Sequence, residues 1–187
     1  MDEEVMILLE EAKEKFEKAL EHLKNELVRI RAGKADIHLL DGIVVDYYGN
    51  KTPLNQVSNI NTPDARTISI QPWEKAMIPV IEKAIMEANI GLNPENNGEL
   101  IRIFIPPLTE ERRKELVKQV KHEGEQTRIS IRNVRREILE ELKKLKKEGL
   151  SEDVEKRKEQ ELEEMVKDYM KKIDEMLEKK EKDIMTI

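Results

Sequence analysis

Apolar side chains recur at three- and four-residue intervals over two long parts of the chain and lose that rhythm between them. From about Asp2 to Ile30, Val5, Leu9, Ala12, Phe16, Ala19, Leu23 and Ile30 keep a 3-4 spacing, widened by Leu8, Leu20 and Leu27. That is the pattern of an amphipathic helix with one buried face. It fades at Arg29-Ile30-Arg31-Ala32-Gly33-Lys34, where Gly33 permits a change of direction. The rhythm returns beyond Pro106-Pro107. Turning about 100° per residue, Leu116, Val120, Thr127, Ile131, Val134, Ile138, Leu142 and Leu145 share one arc of a helix predicted over Thr109 to Lys147. Thr109 suits the N-cap, Glu110 and Glu111 the positive helix start, and Lys143, Lys144, Lys146 and Lys147 the negative end, with Gly149 as terminator. Only Gly149-Leu150 precedes the next helix start at Ser151-Glu152-Asp153, which forces an antiparallel hairpin. The third helix runs to about Ile184 with Val154, Leu162, Met165, Tyr169, Ile173, Met176 and Ile184 inward.

Between the first two helices the texture is that of a small β-containing domain. Ile43 to Tyr48 has strand composition, Gly49-Asn50 is a hairpin turn, and Lys51 to Leu54 returns as an edge strand because Pro53 tolerates only such a place. Thr67 to Gln71 alternates, with Ile68 and Ile70 on one face. Met77 to Ala88 follows a helical pattern, Asn96-Asn97-Gly98 is a turn, and Ile101, Ile103 and Ile105 alternate along a last strand. The expected organisation is α+β: an elongated three-helix bundle from residues 1–30 and 108–187, with residues 31–107 inserted. The two tethers, near 31–34 and 105–108, place hinges at Ala32, Gly33, Pro106 and Pro107, since paired short tethers allow hinge motion but resist full independence.

Composition narrows the chemistry. The 187 residues are 40 % charged and 3 % aromatic, which suits long helices with exposed faces of Glu and Lys. No cysteine is present, so disulfides and thiol catalysis are excluded. No apolar run reaches membrane-spanning length and the acidic N-terminus is unlike a signal peptide, so a soluble cytoplasmic protein is expected. His22, His38 and His122 share no metal-ligand spacing, Gly33-Lys34 and Gly124 lack phosphate-loop neighbours, and Trp73 is expected to pack in the small domain or lie on its surface. Neither metal, cofactor, small-molecule substrate nor enzymatic activity is expected.

A net charge of −6 argues against a nucleic-acid partner until its distribution is considered. Lys114, Lys118, Lys121, Arg128, Arg132, Arg135, Arg136, Lys143 and Lys146 form a second arc on the long helix, roughly a third of a turn from the apolar one. A charge run on a helix is equally readable as a solvated face held by i,i+4 pairs. The centre of the arc favours a partner: four arginines stand at i, i+4, i+7 and i+8 with only Glu125 nearby in sequence to neutralise them. Guanidinium forks suit phosphates, and a rigid helix bearing four of them can follow a folded RNA by shape.

The same residues carry a family resemblance. Pro106-Pro107-Leu108-Thr109-Glu110-Glu111-Arg112-Arg113-Lys114 and Ile131-Arg132-Asn133-Val134-Arg135-Arg136-Glu137 resemble the bacterial ribosome recycling factors. Arg31-Ala32-Gly33-Lys34-Ala35, Val45-Asp46-Tyr47-Tyr48-Gly49, Glu82-Lys83-Ala84-Ile85 and Gly91-Leu92-Asn93-Pro94 agree in order along the chain. The resemblance implies an L-shaped molecule of a three-helix bundle with an inserted β/α/β domain. It also implies a monomer that binds the post-termination ribosome and, with elongation factor G and GTP, splits the subunits. Ribosomal-RNA contacts would fall on Arg132 and Arg135, supported by Arg128, Arg136, Arg113 and Arg31, although Arg112 and Arg113 lie off the central stripe and fit a hinge or packing role equally. The small domain would be the surface pushed by elongation factor G. Where the family often has Gln-Lys-Leu-Thr-Asp in the third helix, this chain has Glu163-Glu164-Met165-Val166-Lys167. A coiled-coil adaptor or chaperone that binds proteins through its helices is the rival expectation.

Overall fold

The computed structural model describes residues 1–186. The chain divides into two compact units, one of residues 1–32 with the chain from Glu110 onward, the other Gly33–Thr109.

The first unit is three long helices: α1 (Asp2–Arg29), α3 (Glu110–Lys147) and α4 (Glu152–Met185). Here α3 packs against both α1 and α4, and α1 also touches α4. The interior is built from Val5, Ala12, Phe16, Leu23 and Leu27 of α1, Leu116, Val120, Thr127, Ile131, Ile138 and Leu142 of α3, and Leu162, Val166, Tyr169, Ile173, Leu177 and Ile184 of α4. Three expected core residues of α4, Val154, Met165 and Met176, are only half-buried, and so are Val134 and Leu145 of α3. The stripe on α4 lies one residue further along, through Val166 and Leu177, because α4 faces two neighbours rather than one. Tyr169 is the one buried tyrosine of the bundle; its ring lies 5.1 Å from that of Phe16, and its hydroxyl donates to Glu17 at 2.5 Å. Burial, then the Glu17 hydrogen bond, push its pKa up to about 12.

At 38 residues α3 spans about 57 Å. Gly149, with φ +117°, ends it, and Leu150 N–H donates back to Leu145 C=O at 2.9 Å. Ser151 caps α4 by accepting from Val154 N–H at 3.3 Å. Gly124, considered in sequence only as a failed phosphate loop, is a buried position of α3 whose missing side chain makes room for Leu177. Only a small residue lets the two helices approach there.

The second unit carries β1 (Val44–Tyr47), β2 (Asn50–Pro53), β3 (Ser58–Asp64), β4 (Thr67–Pro72), α2 (Ile78–Glu87), β5 (Pro94–Asn96) and β6 (Ile101–Phe104). A two-stranded sheet joins β1 to β2, and an antiparallel four-stranded sheet has the order β3-β4-β6-β5. Ile68, Ile70, Ile101 and Ile103 of that sheet and Ile81 and Ile85 of α2 are fully buried together. The first hairpin turns one residue earlier than expected: Tyr47 pairs with Asn50, leaving Tyr48 (φ +49°) and Gly49 (φ +85°) as the turn, the double positive φ of a two-residue I′ loop. Asp46 steadies it by accepting from Gly49 N–H at 2.9 Å.

Two strands were invisible in the pattern. Only Ser58 of β3 is buried and only Ile60 packs partly against the core, too little to mark an alternation, and Pro63 falls where its pairing with β4 shifts between Asn61 and Asp64. The other, β5, is a three-residue edge. Trp73 is exposed, its indole N–H donating to Asn59 at 3.2 Å. Gly33, at φ +71°, packs so closely on Leu108 of the same unit that a Cβ would sit 2.5 Å from Leu108 Cγ.

Candidate functional site

The apolar arc of α3 is spent on α1 and α4, which leaves its arginine arc along the outer edge of the α3–α4 pair. Neighbouring carboxylates treat the four central arginines differently. Arg128 is the most enclosed, with 25 % of its side chain exposed. Its Nη2 donates to Asp174 of α4 at 2.6 Å and its Nη1 to Glu125 at 3.4 Å, so both terminal nitrogens are used inside the protein. The Asp174 hydrogen bond is the main reason its pKa rises above the ordinary guanidinium value despite burial.

Arg132, one turn on, is half exposed and gives Nη1 to Glu125 at 3.1 Å. That hydrogen bond, with Arg128 behind it, holds the Glu125 carboxyl below its usual range. Arg135 donates from Nε to Glu163 of α4 at 2.5 Å and is 42 % exposed. Arg136 is exposed and, among the described residues, forms no ion pair. Solvent-reaching guanidinium surface therefore belongs to Arg132, Arg135 and Arg136, with Arg128 beneath them as a strut.

The expectation that Glu125 alone offsets the arc is corrected by Asp174 and Glu163, which come from the next helix. A signal for them was present in the hairpin: 149 − 135 = 14 and 163 − 149 = 14, so Arg135 and Glu163 are equidistant from Gly149 and must lie level once the chain doubles back. Of the outlying candidates, Arg31 is exposed, whereas Arg113 is half-buried with its Nε shut off from solvent and without a hydrogen-bond partner. Arg112 donates to Glu115 at 2.9 Å. Ala32 is half-buried in the first unit; Gly33, Pro106 and Pro107 belong to the second, both prolines exposed. Among the described residues no group of three or more His, Cys, Asp or Glu is placed to hold a metal ion, and no helix is long and apolar enough to cross a membrane.

The family model described as ribosome recycling factor matches residues 23–185. The chain belongs to the ribosome recycling factor family. Ribosome-recycling factors of Bacteroides fragilis, 53 % identical over 98 % of this chain and 99 % of the relative, and of Porphyromonas gingivalis, 53 % identical over 98 % and 100 %, are among its relatives. A solution structure of a ribosome recycling factor superposes with a TM-score of 0.78 at 41 % identity, covering 98 % of both chains. A second structure, of the Thermus thermophilus factor with Escherichia coli elongation factor G bound to the E. coli post-termination complex, gives 0.63 at 44 % identity over 97 % of this chain and 99 % of that one. The mixed architecture of a helical bundle with a small sheet domain is thus the family's, and the arginine edge of α3 is its candidate interface in this member.

Proposed function

We propose that this member of the family binds the post-termination ribosome and, together with elongation factor G and GTP, splits the subunits so that ribosomes are recycled. The observation that carries the reading is the solved relative, 44 % identical across nearly the whole chain, bound with elongation factor G on a post-termination complex. The exposed guanidinium edge of α3 supplies a chemical basis: Arg132 and Arg135 retain donors for ribosomal-RNA phosphates, Arg136 is open, and Arg128, Arg113 and Arg31 serve as outer or supporting positions. Their place on one continuous helix of 38 residues keeps these groups in fixed register, as shape recognition of folded RNA requires.

In this mechanism the chain catalyses no bond change; GTP hydrolysis belongs to its partner. The bundle, residues 1–30 with 108–187, anchors on the large subunit while the inserted residues 31–107 receive the push of elongation factor G. Ala32, Gly33, Pro106 and Pro107 form the hinge, the prolines fixing the backbone on one tether and Gly33 the turn on the other. A monomer working in the cytoplasm satisfies these roles. Light scattering of post-termination ribosomes tests the proposal: the signal should fall only when this protein, elongation factor G and GTP are all present. Equal splitting without the protein would refute it.

A further inference from the structure

The three carboxylates woven into the arginine edge do more than neutralise it, and Glu163 is the one whose geometry gives a definite consequence. A guanidinium offers a phosphate two forks, the side-on pair of Nε with one Nη and the end-on pair of both Nη atoms. Glu163 sits on Nε of Arg135 at 2.5 Å, with the two side chains 42 % and 48 % exposed, so the side-on fork is occupied while the end-on fork stays open. Arg128, by contrast, has both terminal nitrogens engaged and little left to offer. Glu163 also opens the stretch in which this chain departs from the Gln-Lys-Leu-Thr-Asp pattern.

We propose that Glu163 tunes the affinity of the RNA-binding edge: its carboxylate is an intramolecular stand-in for phosphate that occupies the side-on fork of Arg135 and must yield that fork for a phosphate to engage it. The proposal rests on the assignment of the α3 arginines to ribosomal RNA. A carboxylate in this position lowers affinity, because the Arg135–Glu163 pair is lost when a phosphate takes the side-on fork and the Glu163 charge repels a phosphate that takes the end-on one. Exposed pairs of this kind are worth little each, so the expected effect is modest, roughly a 1.5- to 5-fold tightening when the charge is removed.

The experiment measures binding of full-length chains to isolated large ribosomal subunits at about 0.15 M salt, where long-range charge effects are screened within about 8 Å. Glu163→Gln keeps the shape and an accepting oxygen but removes the charge; it should bind more tightly by the stated factor. Glu164→Gln removes the same charge one residue along α4, where no ion pair to an arginine is formed, and should leave affinity unchanged. In an Arg135→Gln background the gain from Glu163→Gln should fall by at least half, since there is no guanidinium left to release. No gain from Glu163→Gln, an equal gain from Glu164→Gln, or an undiminished gain without Arg135 each overturns the proposal. Arg135→Gln alone separates the two levels of inference. If it weakens binding, a negative Glu163 result refutes only the stand-in role; if affinity is unchanged, the RNA assignment of Arg135 fails and the proposal fails with it.

Discussion

Arg128 and Arg132 stand one turn apart on the same helix, both are arginines, and their substitution should give opposite phenotypes. Arg128→Gln breaks two ion pairs, at 2.6 Å to Asp174 and 3.4 Å to Glu125, and uncovers a side chain that is three-quarters enclosed. Asp174 is 65 % exposed, so solvent screens the stronger pair, and the two together with lost packing of the aliphatic stem are worth about 1 kcal/mol. In a chain of this size that lowers Tm by about 2–4 °C. Arg132→Gln breaks one half-exposed pair to Glu125 and costs a few tenths of a kcal/mol, barely visible in a melt. On large ribosomal subunits the order reverses. Arg132→Gln should remove a phosphate contact and flatten the slope of log affinity against log salt by about 0.7–0.9, while Arg128→Gln should leave the slope near that of the parent. The assays are thermal melting by far-UV circular dichroism and a salt titration of subunit binding. Equal loss of salt slope in both variants, with no Tm change for Arg128→Gln, would show that Arg128 is itself an RNA ligand and not a strut.

Three further outcomes are expected. The Tyr169 phenol titrates near 12 in the folded chain against an ordinary 10.0, so folding favours its protonated form. Its contribution to stability is complete below about pH 10 and is lost as pH rises towards about 12. Melting across this range should show a shallower alkaline decline for Tyr169→Phe than for the parent, and identical curves would contradict the assigned burial. Gly124→Val drives a side chain into Leu177 and should destabilise the bundle by about 1–3 kcal/mol in urea unfolding. Adding Leu177→Ala should cost less than the sum of the two single changes, because the new side chain occupies the vacated space; strict additivity would argue against the contact. Gly33→Ala combines a positive φ with a 2.5 Å approach to Leu108 and should destabilise the residue 33–109 unit by about 1–2 kcal/mol. Amide hydrogen exchange should locate the loss there, with α3 and α4 protected as before.

Long amphipathic elements were legible because each repeats one instruction many times. α3 carries seven buried positions in register and a glycine with positive φ just beyond its end, and its predicted boundary differs from the observed one by a single residue. β3 was silent for the opposite reason: only Ser58 of its seven residues is buried, and its place is set by pairing with β4, a relation between segments rather than a property of one. The arginines of the candidate interface were visible on the helical wheel, but their inequality was not. Arg128 and Arg132 differ because α4 brings Asp174 to one of them, and only the folded hairpin states that distance. The packing role of Gly124 against Leu177 went unread because a glycine has no side chain to announce what it admits.

The proposal that an acidic protein meets RNA through a few arginines is less paradoxical once the placement of the carboxylates is considered. With a net charge of −6, the surface as a whole repels a polyanion at long range. Glu125, Asp174 and Glu163 lie within ion-pair distance of Arg128, Arg132 and Arg135, so the positive potential of the edge decays over little more than the screening length of about 8 Å. Attraction then develops only when phosphates come close to the guanidinium forks, and several can do so at once only on a rigid surface that matches a helix about 57 Å long. Loose, sequence-independent association with RNA is thereby disfavoured, while a docking site of the right shape still meets a line of arginines. On the proposed reading, a factor that must leave the ribosome after each cycle gains from this arrangement, since Arg128, Arg132 and Arg135 each have a protein carboxylate ready to take them back, whereas Arg136 pairs with none among the described residues.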